Sequence, residues 1–421
     1  MSVKKFAPVI VSVVLLVSAV AARAYAGGQQ AEPVSTSTAD TATNDNADRD
    51  SAVDPGAEKP EKEMRGVWVS YIELDMQNEE DKSESAFRAK FESIAENCRN
   101  AGFNTLIVQV RPFCDALYNS GYFPSSHILS GEQGVSPDYD ALKVMCEVCS
   151  ELNLDIHAWV NPYRISTEST PQTLSESNPY VLDSEIGEET EKGIFLNPAS
   201  KKARKLIIDG VVEIVKNYDI DGIQFDDYFY PTQDSSFDSE EYAEYVDTVG
   251  RMNCMSVDNW RLANVNTLIC DTYRAIHKAA DDVEFGISPQ GNIDNNADIY
   301  ADVKTWCICK GFVDYICPQL YFSLDNPALT FEDSLESWAG LDINKTVKLY
   351  VGLAGYKAGT DSDEGTWLES SNILSEQYRI AMENEKVSGI MLYSYSALED
   401  ENALEEIINL TSAMNNSDTE N

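Results

Sequence analysis

From Met64 onward, apolar and polar positions fall into two alternating kinds of run. Short runs with a two-residue period read as strands, and longer runs with a three-to-four-residue period read as helices. The strands are predicted at Met64–Tyr71, Asn104–Pro112, Leu154–Arg164, Asp221–Pro231, Glu284–Asn292, Val313–Phe322, Lys348–Gly355 and Gly389–Tyr395. The helices are predicted near Ser83–Ala101, Asp138–Leu152, Pro198–Tyr218, Trp260–Ala280, Asp298–Lys310, Thr330–Gly340, Ser370–Lys386 and Glu399–Met414. Asn197 is the expected cap of the third helix, with Pro198 in its first position. Strand and helix alternate eight times over this span, which predicts an α/β fold of the (β/α)8 TIM-barrel type, with 64–421 as a single catalytic domain. An open doubly wound sheet is the other arrangement, but no glycine-rich phosphate loop follows the first strand.

A barrel makes the alternation informative, because inward residues recur at every second position and active sites form at the C-terminal ends of the strands. In the second strand Leu106, Val108 and Val110 then face the helices, leaving Ile107, Gln109 and Arg111 inward. The same rule turns His157, Trp159 and Asn161 inward from the third strand, Gln224 and Asp226 from the fourth, and Ser288, Gln290 and Asn292 from the fifth. Gln319 and Tyr321 follow in the sixth and Tyr393 in the eighth. A lumen whose only task is packing is filled with Val, Ile and Leu. This one has polar upper layers, as a binding pocket requires.

The N-terminal region departs from that pattern. Lys4 and Lys5, an apolar run from Val9 to Val20 and Ala24-Tyr25-Ala26 together read as a signal peptide over residues 1–26. Its apolar run is short for a membrane span, so no stable membrane insertion is expected once the signal is cleaved. Residues 27–63 contain no aromatic residue and almost no large aliphatic one, and read as a disordered linker. These features predict a secreted or cell-envelope-associated protein. The formal net charge of −40 disfavours nucleic acid as a partner. Nine cysteines lack the close spacing of a disulfide scaffold, and are read as small apolar core residues.

The candidate chemistry gathers in DGIQFDDYFYP, Asp221 to Pro231. Cleaving a glycosidic bond takes one carboxylate to attack or stabilise the developing cation, and an acid to protonate the leaving oxygen. Asp226, the inward acid at the strand end, is the expected nucleophile or base. Asp227 is the first candidate for the acid and Asp115, in RPFCDALY, the second. Tyr163, Tyr228, Tyr321, Tyr356 and Tyr393 follow or end strands and offer rings for the apolar faces of sugars. Arg111, Arg164 and Lys357 are candidates for binding polar groups or for neutralising the acids. His157, Asn161, Gln224, Gln290 and Gln319 complete the expected substrate-binding set. The three histidines form neither HxH nor HExxH, so no metal and no cofactor is expected. A GxSxG elbow is also absent.

At these residues the chain resembles the glycosyl hydrolase-like family 10 of bacterial exported barrels. The resemblance is carried by RGVWVSY (65–71), NTLIVQVRPFCDALY (104–118), HAWVNPYR (157–164), FLNPA (195–199), DGIQFDDYFYP, NWRLANVN (259–266), FGISPQG (285–291) and DYICPQLYF (314–322). It implies hydrolysis of a polysaccharide, bacterial cell-wall glycan (peptidoglycan) above all, with Asp226 and Asp227 as the strand-four acids. The alternative is a glycan-binding protein on a barrel that has lost catalysis. The motif is also similar to the DGxDxDxE strand of chitinases, but Tyr228 replaces the acidic Glu and Gln224 an Asp. α-Amylase-like enzymes carry an Arg where Gln224 stands. Neither of those mechanisms transfers directly.

Overall fold

In the computed structural model, which describes residues 62–420, eight parallel strands close into a ring. The expected signal peptide, and the linker up to residue 61, lie outside the described residues. The ring strands are β1 (Met64–Val69), β2 (Thr105–Arg111), β3 (Asp155–Val160), β6 (Gly222–Phe225), β7 (Glu284–Ile287), β8 (Tyr315–Ile316), β9 (Lys348–Ala354) and β10 (Val387–Tyr393). An antiparallel hairpin, β4 (Gly187–Thr190) with β5 (Gly193–Leu196), is inserted after β3. Ring order is β1-β10-β9-β8-β7-β6-β3-β2, and β1 closes it by pairing with both β2 and β10.

Several boundaries move for identifiable reasons. The sixth predicted strand shrinks to Tyr315–Ile316, because Pro318 has no N–H to give the ladder. Pro289 shortens β7 in the same way. Beyond both prolines, bridges at Gln290↔Gln319 and Gln319↔Gly352 carry the pairing to the rim. The third helix starts later than expected, at Lys201, with Ser200 as its cap accepting from the Ala203 N–H. Asn197 instead accepts from the Ala199 N–H at 2.9 Å, holding the turn that precedes the helix. The β4–β5 hairpin and the helix Ser239–Val249 were not anticipated. The latter buries no residue fully.

The inward–outward division follows the pleat. Leu106, Val108 and Val110 pack in the outer apolar shell beneath the helices. Met64, Trp68, Ile107, Trp159, Tyr315, Cys317, Tyr350 and Met391 form a separate cluster inside the ring. Polar groups within this lumen satisfy one another. Trp68 donates to Gln224 Oε1 at 2.5 Å, Gln224 Nε2 donates to the Tyr315 hydroxyl at 3.2 Å, and that hydroxyl lies 3.0 Å from His157 Nδ1. Burial lowers the His157 pKa to about 4, so its ring is neutral. All nine cysteines are free, and six of them are buried.

Two glycines make room for these rings. A Cβ on Gly222 would meet the His157 ring at 2.5 Å, and one on Gly286 would meet the Tyr315 ring at 2.0 Å. A side chain at either place overfills a closed lumen, at a cost of about 1–3 kcal/mol. Gly286→Ala is therefore expected to lower the melting temperature by several degrees. An unchanged thermal transition would contradict this packing.

Candidate active site

The pocket is built at the C-terminal ends of the strands. Asp226 follows the last residue of β6 and is 4% exposed. Its Oδ2 accepts from Trp159 Nε1 at 3.2 Å and, in a short contact, from Asn161 Nδ2. Its Oδ1 accepts from the Tyr228 backbone N–H at 3.3 Å. Burial and then the neighbouring Asp227 charge raise its pKa to about 7, against Arg164 and the N–H donors. The carboxyl thus holds its proton well into a range where an ordinary aspartate is ionised.

Asp227 lies past the end of the regular strand, and the pleat no longer dictates its direction. Its Oδ1 accepts from Gln319 Nε2 at 3.0 Å, and Gln319 also donates to the Ser288 carbonyl at 3.1 Å. Burial raises its pKa, while hydrogen bonds from Gln319 and Gln290 lower it. The two acids are therefore held from different sides, Asp226 by β3 and Asp227 by the segments that extend β7 and β8.

An aromatic wall stands beside them. Tyr393, ending β10, stacks on Tyr321 at 5.8 Å between ring centroids and meets Tyr356 edge-on at 5.8 Å. Trp68 and Trp159 approach the same ring from below at 6.0 and 6.4 Å. Tyr228 and Tyr356 remain about half exposed. Together these rings form an amphipathic surface suited to pyranose faces.

The remaining candidates divide by position. Arg164 is at the pocket: its Nε donates to the Pro112 carbonyl at 2.7 Å, and its guanidinium lies over the Phe113 and Tyr228 rings at 4.9 and 5.5 Å. Arg111 is fully buried below it, with Nη2 at 3.4 Å from the carbonyls of Asn161 and Pro162. Lys357 pairs with Asp363 at 2.7 Å and donates to the Tyr321 carbonyl at 2.8 Å, which ties the loop after β9 to the wall. Asp115 is fully buried, held by His127 at 3.1 Å and Gln133 at 3.0 Å within the β2 loop. Tyr163 is buried in the outer shell, and His157 and Gln224 sit deeper in the lumen than the acids.

Two further groups belong to this rim. Glu73 accepts from the Ser70 N–H at 2.8 Å and from Ser394 Oγ at 2.9 Å, joining the loops after β1 and β10. Only an acid shortly after the first strand signalled it. Gln109, inward on β2 by alternation, donates to Asn161 Oδ1 at 2.6 Å.

The family model for glycosyl hydrolase-like 10 matches residues 63–369. The chain is 33% identical over 356 residues to the glycosyl hydrolase YngK of Bacillus subtilis (strain 168), covering 80% of this chain and 69% of that one. It is 29% identical over 367 residues to the glycosyl hydrolase DigH of Escherichia coli (strain K12), covering 78% and 82%. Among solved structures it is similar in fold to the PgaB (BpsB) glycoside hydrolase domain from Bordetella bronchiseptica. The TM-score is 0.55 at 12% identity, covering 83% of this chain and 99% of that one. A β-amylase catalytic domain from Paenibacillus polymyxa matches with a TM-score of 0.55 at 11% identity, covering 85% and 99%. The chain belongs to the glycosyl hydrolase-like 10 family, and is a glycoside hydrolase on a closed eight-stranded barrel.

Proposed function

We propose that the chain is an exported hydrolase of bacterial cell-wall glycan in which Asp226 and Asp227 divide the acid and base work. The observation that carries this reading is the pair of strand-end carboxyls beside an aromatic wall, one of them with its pKa raised to about 7. Export rests on the pattern of residues 1–26, and the cell-wall substrate on that pattern together with the family resemblance.

Burial favours Asp226, rather than Asp227, as the carrier of the proton. This reverses the roles expected from strand direction alone. Protonated Asp226 donates to the leaving glycosidic oxygen through Oδ1, the oxygen with the weaker hydrogen bond. Ionised Asp227 faces the positive charge that develops at the anomeric carbon, where water supplies the new C–O bond and its released proton returns to the carboxyl pair. Arg164 steadies the pair, and Tyr321, Tyr356 and Tyr393 align the sugar rings.

Asp226→Asn is expected to lose about a thousandfold or more in the release of reducing ends from peptidoglycan glycan. It should still bind that glycan. Wild-type protein that binds but releases no fragments detectable by mass spectrometry would favour the non-catalytic alternative. Activity is expected to fall as pH rises through about 7, where Asp226 loses its proton.

The same titration has a stability consequence. A carboxyl whose folded pKa is raised from 3.8 to about 7 binds more protons folded than unfolded between those values, so its contribution to stability declines as pH rises across that window. Asp226→Asn should therefore gain in melting temperature relative to wild type between about pH 4 and about pH 7. Tyr393→Ala, which removes the centre of the wall, should raise KM by about tenfold with a smaller effect on kcat.

A further inference from the structure

Behind Asp226 runs a chain of hydrogen bonds whose direction is set at its far end. The Tyr71 backbone N–H, in the loop after β1, donates to Gln109 Oε1 at 3.0 Å. A backbone N–H can only donate, so Gln109 must present its carbonyl there and its NH2 on the other side. That NH2 donates to Asn161 Oδ1 at 2.6 Å. Asn161 is then left with its own NH2 toward Asp226 Oδ2, the contact observed. Gln109, Asn161 and Asp226 are at most 4% exposed, so water does not compete for these bonds.

We infer that Gln109 is a positioning residue for the reaction. It locks Asn161 in the one orientation that offers Asp226 a donor, and thereby couples the β1 loop to the reacting carboxyl. The inference rests on the reading of Asp226 given above. Turning Asn161 over would set its carbonyl against the Asp226 carboxyl and its NH2 against that of Gln109. Against the ionised carboxyl both new contacts are repulsive, and the backbone of residue 71 cannot relieve either. A donor aimed at the carboxylate favours the ionised form. The relay therefore opposes burial, and keeps Asp226 able to release its proton as well as to hold it.

Asp226 is also faced by other charged and titratable groups. Asp227 and Tyr228 follow it in the chain, Arg164 comes from the segment after β3, Arg111 from the end of β2 and Tyr393 from β10. The substitutions that test the relay leave all of these in place.

Gln109→Met keeps the length of the side chain and removes both polar atoms. Gln109→Glu keeps the shape and the acceptor for residue 71, but offers Asn161 an acceptor instead of a donor. In folded variants, both should move the alkaline limb of the kcat profile upward, by about half a unit to one unit, the glutamate variant more. KM should change by less than about threefold, and kcat should fall about tenfold. Asn161→Ala should move the limb at least as far, and adding Gln109→Met to it should produce no additional displacement. That non-additivity is the signature of a single chain of bonds.

An unmoved limb in the folded Gln109 variants would overturn the inference, as would full additivity with Asn161→Ala. If the Gln109 variants do not fold, the side-chain NH2 resonances of Gln109 in the wild-type protein decide: they should shift as Asp226 titrates, and resonances indifferent to that titration would overturn the inference. Failure of the functional reading looks different: there, Asp226→Asn would retain hydrolysis.

Discussion

Parallel strands closed into a ring leave each side chain one of two destinations, the lumen or the helical shell. In this chain that division separates two chemistries. Val and Leu residues of β2 go outward to the helices, while Trp, Tyr, Gln and His residues of other strands go inward, where they must find partners among themselves. Trp68, Gln224, Tyr315 and His157 do so in one connected set of hydrogen bonds. Gly222 and Gly286 supply the space, since a single Cβ at either position would occupy the volume of a ring. The floor beneath the acids is therefore filled by side chains, and the pocket has a defined bottom.

On that floor the Asp226 carboxyl is pulled in opposite directions. Burial and the adjacent Asp227 favour its neutral form, whereas Arg164 and the N–H groups of Trp159, Asn161 and Tyr228 favour its charge. Each side of this balance is large in a low-dielectric pocket, and the outcome, a pKa of about 7, is their difference. A group poised there can both give up and regain a proton near neutrality, which acid–base chemistry on a glycosidic oxygen requires. The donors come from β3 and from the turn after β6, so the balance depends on the register between these two strands as much as on residue identity.

The rim shows how loops divide labour around such a centre. Glu73 with Ser70 and Ser394 joins the loops over the β1–β10 seam. Lys357 with Asp363 pins the β9 loop to Tyr321. Arg261, clamped on Asp238 and the carbonyls of Gln233 and Asp234, secures the long segment after Tyr230. These ties hold the aromatic wall and the DDYFYP turn in place, so the rings of the wall need little further ordering.

The eight alternations of strand and helix, the inward direction of Asp226 and the clustering of tyrosines at strand ends were all legible from the chain. Each follows from a local two-residue or helical period, which needs no knowledge of distant neighbours. Three charged candidates with the same sequence appearance then met different fates. Arg111 is buried against carbonyls, Lys357 is paired with Asp363, and Arg164 alone stacks beside the acids. The direction of Asp227, the link from Gln109 to Asn161 and the placement of Asp115 with His127 were equally hidden. All of these depend on contacts between segments tens of residues apart, or on backbone beyond the last regular strand residue. Periodicity could decide which face a side chain takes, but only closure of the ring could decide what it meets there.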